Sequence, residues 1–205
     1  MSDTKISAFR IELADPEALY EIEAKAPPEL KDHFQRIKDG LEAIPGVPAE
    51  AFYGAVTLRA LALQPDIFNS WFLTEYHSTK QGKVSPKIKE LMAIIISYLN
   101  EEDENAACAP YHVGAARFEG ASEAEIQAVQ DYETHSSTLS PAVRTVIDFG
   151  IKSAFYPKEI TDRDVQAIRD LGYSDAAVVE IISSALIAYN LSALNQVLNL
   201  REGAG

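Results

Sequence analysis

The chain has 205 residues, 47% of them hydrophobic, with a single cysteine and a formal net charge of −13. That length and apolar content suffice for a full core in one compact domain, whereas the negative field repels phosphate and argues against nucleic acid or an anionic membrane surface as partner. One cysteine excludes a disulfide within the chain and a local dithiol redox cycle, and it fits a reducing compartment.

The first ten residues, Met1 to Arg10, lack the basic and apolar regions of a secretory leader, so a cytoplasmic protein that engages small molecules or other proteins is expected. Residues 1–48 read as an N-terminal arm ending in Pro27-Pro28, followed by a helix near 30–44 in which His33, Phe34, Ile37, Leu41 and Ile44 recur at helical spacing. Residues 49–205 read as the main all-α domain. Its first helices are predicted over 49–63 and from Pro65 to about Lys80, the second carrying Phe68, Trp71, Phe72 and Tyr76 towards a stop at Gly82.

Ser85-Pro86 then caps an apolar helix running to about Leu99, and another helix starts near Ala107 to Ala109 with Pro110 in its first turn. A pseudo-repeat follows from the punctuation. Leu139-Ser140-Pro141 restates Val84-Ser85-Pro86, and Gly172-Tyr173-Ser174-Asp175 echoes Gly120-Ala121-Ser122-Glu123, which divides the domain into helical units at about 84–135 and 139–199. Arg144 and Asp148, at i and i+4, are expected to pair. The apolar stretch Ala176 to Leu198 is interrupted by Glu180, Ser183, Ser184, Asn190, Ser192 and Asn195, so it reads as a largely buried helix rather than a membrane span.

Chemistry concentrates in Cys108-Ala-Pro-Tyr-His112. A thiol at a helix N-terminus is activated by the unsatisfied amides, and an imidazole four residues on can face it across one turn. Glu101 to Glu104 immediately upstream oppose that activation unless they point into solvent. Glu90, early in the preceding helix, can orient His112 or relay its proton if the two helices fold back on one another. The plainer alternative is a small buried cysteine, a histidine satisfied by a helix carbonyl and a glutamate that complements the helix dipole. One cysteine and one histidine without further ligands at suitable spacing do not make a metal site, and no metal or other cofactor is expected. His33 and His135 read as ordinary helix or loop residues, while Tyr76 and His77 are candidates to line a pocket.

The order Ser-Pro-(x)3-Glu90, an apolar helix with Ser97, then Asn105-(x)2-Cys108-(x)3-His112 and a glycine-stopped helix resembles the carboxymuconolactone decarboxylase and alkylhydroperoxidase D (AhpD)-like superfamily. Leu139-Ser-Pro-Ala-Val-Arg144, Ile147-Asp-Phe-Gly150, Ile160-Thr-Asp-Arg-Asp164, Leu171-Gly-Tyr-Ser-Asp175 and Ala188-Tyr-Asn190 resemble its peroxidase-related branch. The resemblance implies an AhpD-like helical fold, a homo-oligomer, and Glu90, Cys108 and His112 as catalytic residues, with Asn105 where the first cysteine of a Cys-x-x-Cys pair belongs. It leaves three functions open. The first is reduction of a small hydroperoxide at Cys108 with an external thiol as reductant; the second is decarboxylation or lactone chemistry by His112 or Glu90; the third is a non-catalytic helical oligomer that binds a ligand.

Overall fold

The computed structural model describes residues 9–101 and 108–201, which hold twelve α-helices and no strand. Glu102 to Asn105, and with them the acidic run and the position of the missing cysteine, lie outside the described residues.

The N-terminal third contributes α1 (Pro16–Lys25), α2 (Pro28–Glu42), the short α3 (Ala51–Gly54) and α4 (Val56–Leu61), and α5 (Pro65–Glu75). The helix expected over 49–63 is thus two helices, because Ala55 turns to φ −58°, ψ 116° between them. Their shared core is aromatic. Phe34, Phe52, Phe68 and Phe72 are fully buried, with Phe34 and Phe72 ring centres 4.5 Å apart and Phe68 and Phe72 5.0 Å apart, separations at which ring pairs add to simple area burial.

The last turn before Gly82 also departs from expectation. From Tyr76 to Lys80 the helix widens into a single π turn, which leaves Ser78, Thr79 and Lys80 all buried. In a regular helix three consecutive residues fan out over most of a circle; the wider turn directs them inward, and such turns gather at functional sites.

The rest of the protein is built around α6 (Pro86–Glu101), which packs against α7 (Ala109–Phe118), α8 (Glu123–Gln130), α10 (Pro141–Phe155) and α12 (Asp175–Leu198). Between these run α9 (Tyr132–His135) and α11 (Asp162–Asp170). The repeated punctuation appears as paired caps: Ser122 and Ser174 each accept a backbone N–H at the start of α8 and α12, and proline opens both α6 and α10. Asp148 accepts from the Tyr132 hydroxyl at 2.7 Å, tying α9 to α10, and the ion pair expected with Arg144 is not among the contacts of the described residues. By length and composition α12 could cross a membrane, yet half of its apolar window is packed inside the protein, where Ser184, Ser192 and Asn195 are all buried.

Two contacts fix the helices that matter for the site. The Glu180 carboxylate of α12 accepts from the backbone of Lys83 and Val84 at 2.9 and 3.0 Å, pinning the approach to α6. On the other side α2 and α7 meet through glycine: a Cβ on Gly114 would lie 2.4 Å from the Gly40 carbonyl oxygen and 2.6 Å from Ile44. Gly114→Val is therefore expected to force the helices apart at a cost of about 1–3 kcal/mol, read as a lowered urea midpoint with unchanged slope. A variant as stable as the wild type would mean that the close approach is not needed.

Candidate active site

Glu90 and Lys89 sit side by side on α6 but point to different partners. Both are buried. Lys89 donates to the Gln81 carbonyl at 2.5 Å and pairs with Glu180, and its burial still lowers its pKa. Glu90 faces α7, where its Oε2 accepts from His112 Nδ1 at 2.8 Å, while its Oε1 accepts from Lys80 Nζ of the π turn. Burial alone would raise the Glu90 carboxyl; Lys80 and His112 outweigh it and hold the group below its ordinary range. An ionised carboxylate only accepts, so His112 carries a proton on Nδ1.

Lys80 stands between two carboxylates. Burial would lower its pKa, but Glu90 and then Glu75 overcome that and raise it. Glu75, at the end of α5, pairs with His33 of α2 and accepts from the Thr79 hydroxyl at 2.7 Å. Although burial pushes its pKa up, His33, Lys80 and Thr79 together hold it at about 2. The result is a buried alternation of charge-bearing groups, His33, Glu75, Lys80, Glu90 and His112, drawn from α2, α5, the π turn, α6 and α7.

A stability signature follows from Glu75. Its folded pKa lies below the ordinary 4.5, so its ionisation contributes stability that is complete above that pH and is lost as pH falls towards about 2. Glu75→Gln should flatten the fall of unfolding free energy with pH in that window. An acid limb as steep as the wild type's would show that Glu75 does not drive it.

Cys108 occupies the N-cap of α7, as its spacing predicts, and the residue is buried, 5% exposed. Its side chain caps nothing. Instead Asn195 of α12 donates from Nδ2 to Sγ at 3.0 Å, and the Asn195 carboxamide is oriented by Thr57 of α4, whose hydroxyl donates to Oδ1 at 2.7 Å. An N–H aimed at sulfur favours the thiolate over the thiol.

Cys108 and His112 share one cavity of about 300 Å³. Its walls are mostly aliphatic and aromatic, among them Ile37, Leu41, Leu58, Phe72, Ile187 and Leu191, and its polar lining comes from Thr57, Trp71, Glu75, Thr79, Cys108, Tyr111 and His112. Tyr76 and His77 do not line it. The three residues singled out in sequence are thus brought into one neighbourhood, Glu90 through its bond to His112. His33 is not the ordinary helix residue its spacing suggested, since it is fully buried against Glu75.

Lys80, Glu75, Thr57 and Asn195 were not legible as site residues. Only Asn195 left a signal, as an amide in the middle of an apolar helix, where a buried polar group demands a partner.

Residues 65–132 match the family model described as the carboxymuconolactone decarboxylase family, a span that takes in Glu75, Lys80, Glu90, Cys108 and His112. Two solved structures are similar over almost the whole chain. One, described as an alkylhydroperoxidase AhpD core and an uncharacterized peroxidase-related protein from Ralstonia eutropha JMP134, is 17% identical over 95% of this chain and 92% of its own, with a TM-score of 0.67. The other, an uncharacterized peroxidase-related protein from Silicibacter sp. TM1040, is 17% identical over 99% and 96%, with a TM-score of 0.65. None of the curated proteins matches the chain.

Proposed function

We propose, from the match of residues 65–132 to the carboxymuconolactone decarboxylase family model and from the fold shared with AhpD-core, peroxidase-related proteins, that the chain is a one-cysteine thiol peroxidase that reduces a small organic hydroperoxide. The observation that carries this reading is the Cys108 sulfur, held by an Asn195 N–H, on the same cavity as a histidine whose other nitrogen is fixed by an ionised glutamate. A thiol beside an imidazole oriented by a third group is the arrangement of an activated nucleophile.

The chemistry is then direct. His112 Nε2 takes the thiol proton, directly or through one water. The Cys108 thiolate attacks the terminal oxygen of the hydroperoxide; a sulfur–oxygen bond forms, the oxygen–oxygen bond breaks, and the departing alkoxide takes the proton back from His112 as an alcohol. Cys108 is left as a sulfenic acid. Since the chain has no second cysteine, an external thiol must condense with it, releasing water, and a second thiol must then free Cys108 from the mixed disulfide.

The deciding experiment compares wild type and Cys108→Ser for consumption of cumene hydroperoxide with dithiothreitol as donor. Turnover by the wild type and none above buffer by the variant are expected. Equal rates would remove Cys108 from the reaction and end the peroxidase reading.

A further inference from the structure

Two residues of the cavity wall carry polar hydrogens that the thiol chemistry does not use. The Trp71 indole nitrogen and the Tyr111 hydroxyl belong to lining residues, both atoms are shielded from solvent, and neither has a hydrogen-bond partner among the described residues. Burial, with Glu75 and Glu90 nearby, pushes the Tyr111 phenol well above its ordinary pKa, so it stays protonated and able to donate. Leaving such donors unmatched is costly, and buried polar groups ordinarily find a partner.

The charge of the walls narrows what that partner can be. Among the described residues no lysine or arginine lines the cavity. Lys80 is committed to Glu90, and Glu75 stands in the wall as a carboxylate. An anionic ligand would be desolvated against a like charge without a fixed cation to compensate it. Size narrows it further: the cavity has about twice the roughly 150 Å³ that accommodates benzene, room for about a dozen non-hydrogen atoms.

We infer that the cavity binds a neutral, predominantly apolar molecule of that size through an acceptor oxygen placed between the Tyr111 hydroxyl and the Trp71 indole, and that it discriminates against carboxylates. This deepens the peroxidase reading and rests on it for the identity of the site: the organic part of the hydroperoxide is a medium-length uncharged hydrocarbon, and Tyr111 and Trp71 are specificity residues rather than participants in the sulfur chemistry.

Trp71 is the only tryptophan of the chain and reports occupancy without turnover. The test titrates Cys108→Ser with 1-decanol and with decanoate, matched in length and different in charge, and follows indole fluorescence. A saturable change with decanol, at least about tenfold tighter than with decanoate, is expected. Decanoate binding as tightly as decanol, or no saturable change with either, would overturn the inference. Tyr111→Phe, which keeps the ring and its packing, should weaken decanol by about three- to tenfold, the worth of one hydrogen bond, and leave decane unaffected; unchanged decanol affinity would remove Tyr111 from the site. Hydroperoxide turnover without decanol binding would overturn this inference alone, whereas decanol binding without turnover would overturn the peroxidase reading alone.

Discussion

Lys80→Met is expected to destabilise the protein by about 3–5 kcal/mol at neutral pH, the cost of breaking a buried ion pair by removing one partner. Methionine fills much of the lysine's volume, so the loss is electrostatic rather than a cavity. Glu90 and Glu75 are both buried and both owe part of their lowered pKa to Lys80. Without it, desolvation raises both carboxyls, and each can shed its penalty by taking up a proton. The deficit should therefore be largest at neutral pH and shrink as pH falls through the raised values. Urea unfolding of wild type and variant across that range measures it, and Lys80→Met combined with Glu90→Gln should recover part of the loss by removing one orphaned charge. A deficit below about 1 kcal/mol, or one independent of pH, would mean that the pairing does not hold the two carboxylates.

His112→Ala should slow single-turnover oxidation of Cys108 by an organic hydroperoxide about 10²–10⁴-fold, the usual contribution of a positioned acid–base group. The imidazole touches two steps of the proposed reaction, accepting the thiol proton and returning it to the alkoxide. Glu90→Gln separates orientation from charge. Glutamine can still accept from Nδ1, which preserves the ring's direction, but it no longer stabilises an imidazolium. A smaller loss than for His112→Ala is expected. An oxidation rate within about threefold of wild type in His112→Ala would fall short of any acid–base contribution and leave the histidine a structural role.

The predicted residues and the additional ones differ in how far their partners lie along the chain. Cys108 and His112 are four residues apart, and Glu90 is close enough upstream for one helical hairpin to bring it back. Such short-range geometry follows from helix periodicity and punctuation, and Pro110 placed the N-terminus of α7 correctly. Lys80 was hidden for a different reason. As the last residue of a helix before a glycine stop it reads as a solvent-exposed dipole partner, and only the π turn rotates it inward. His33 and Glu75 lie 42 positions apart in sequence, on helices whose relative placement depends on the aromatic core between them.

The sequence by itself determined an all-helical chain, most of its helix starts and stops, and the local Cys108–His112 unit, because proline, glycine and serine at helix ends act through covalent geometry and neighbouring amides. Tertiary packing alone decided the rest. Asn195 reaches Cys108 across 87 residues, and Thr57 reaches Asn195 across 138. The charged network is drawn from five separate elements. Pairings of that kind are set by which apolar faces bury one another and how closely the helices can approach, here through Gly40 and Gly114; hydrophobic burial is non-directional, so no periodicity along the chain encodes them.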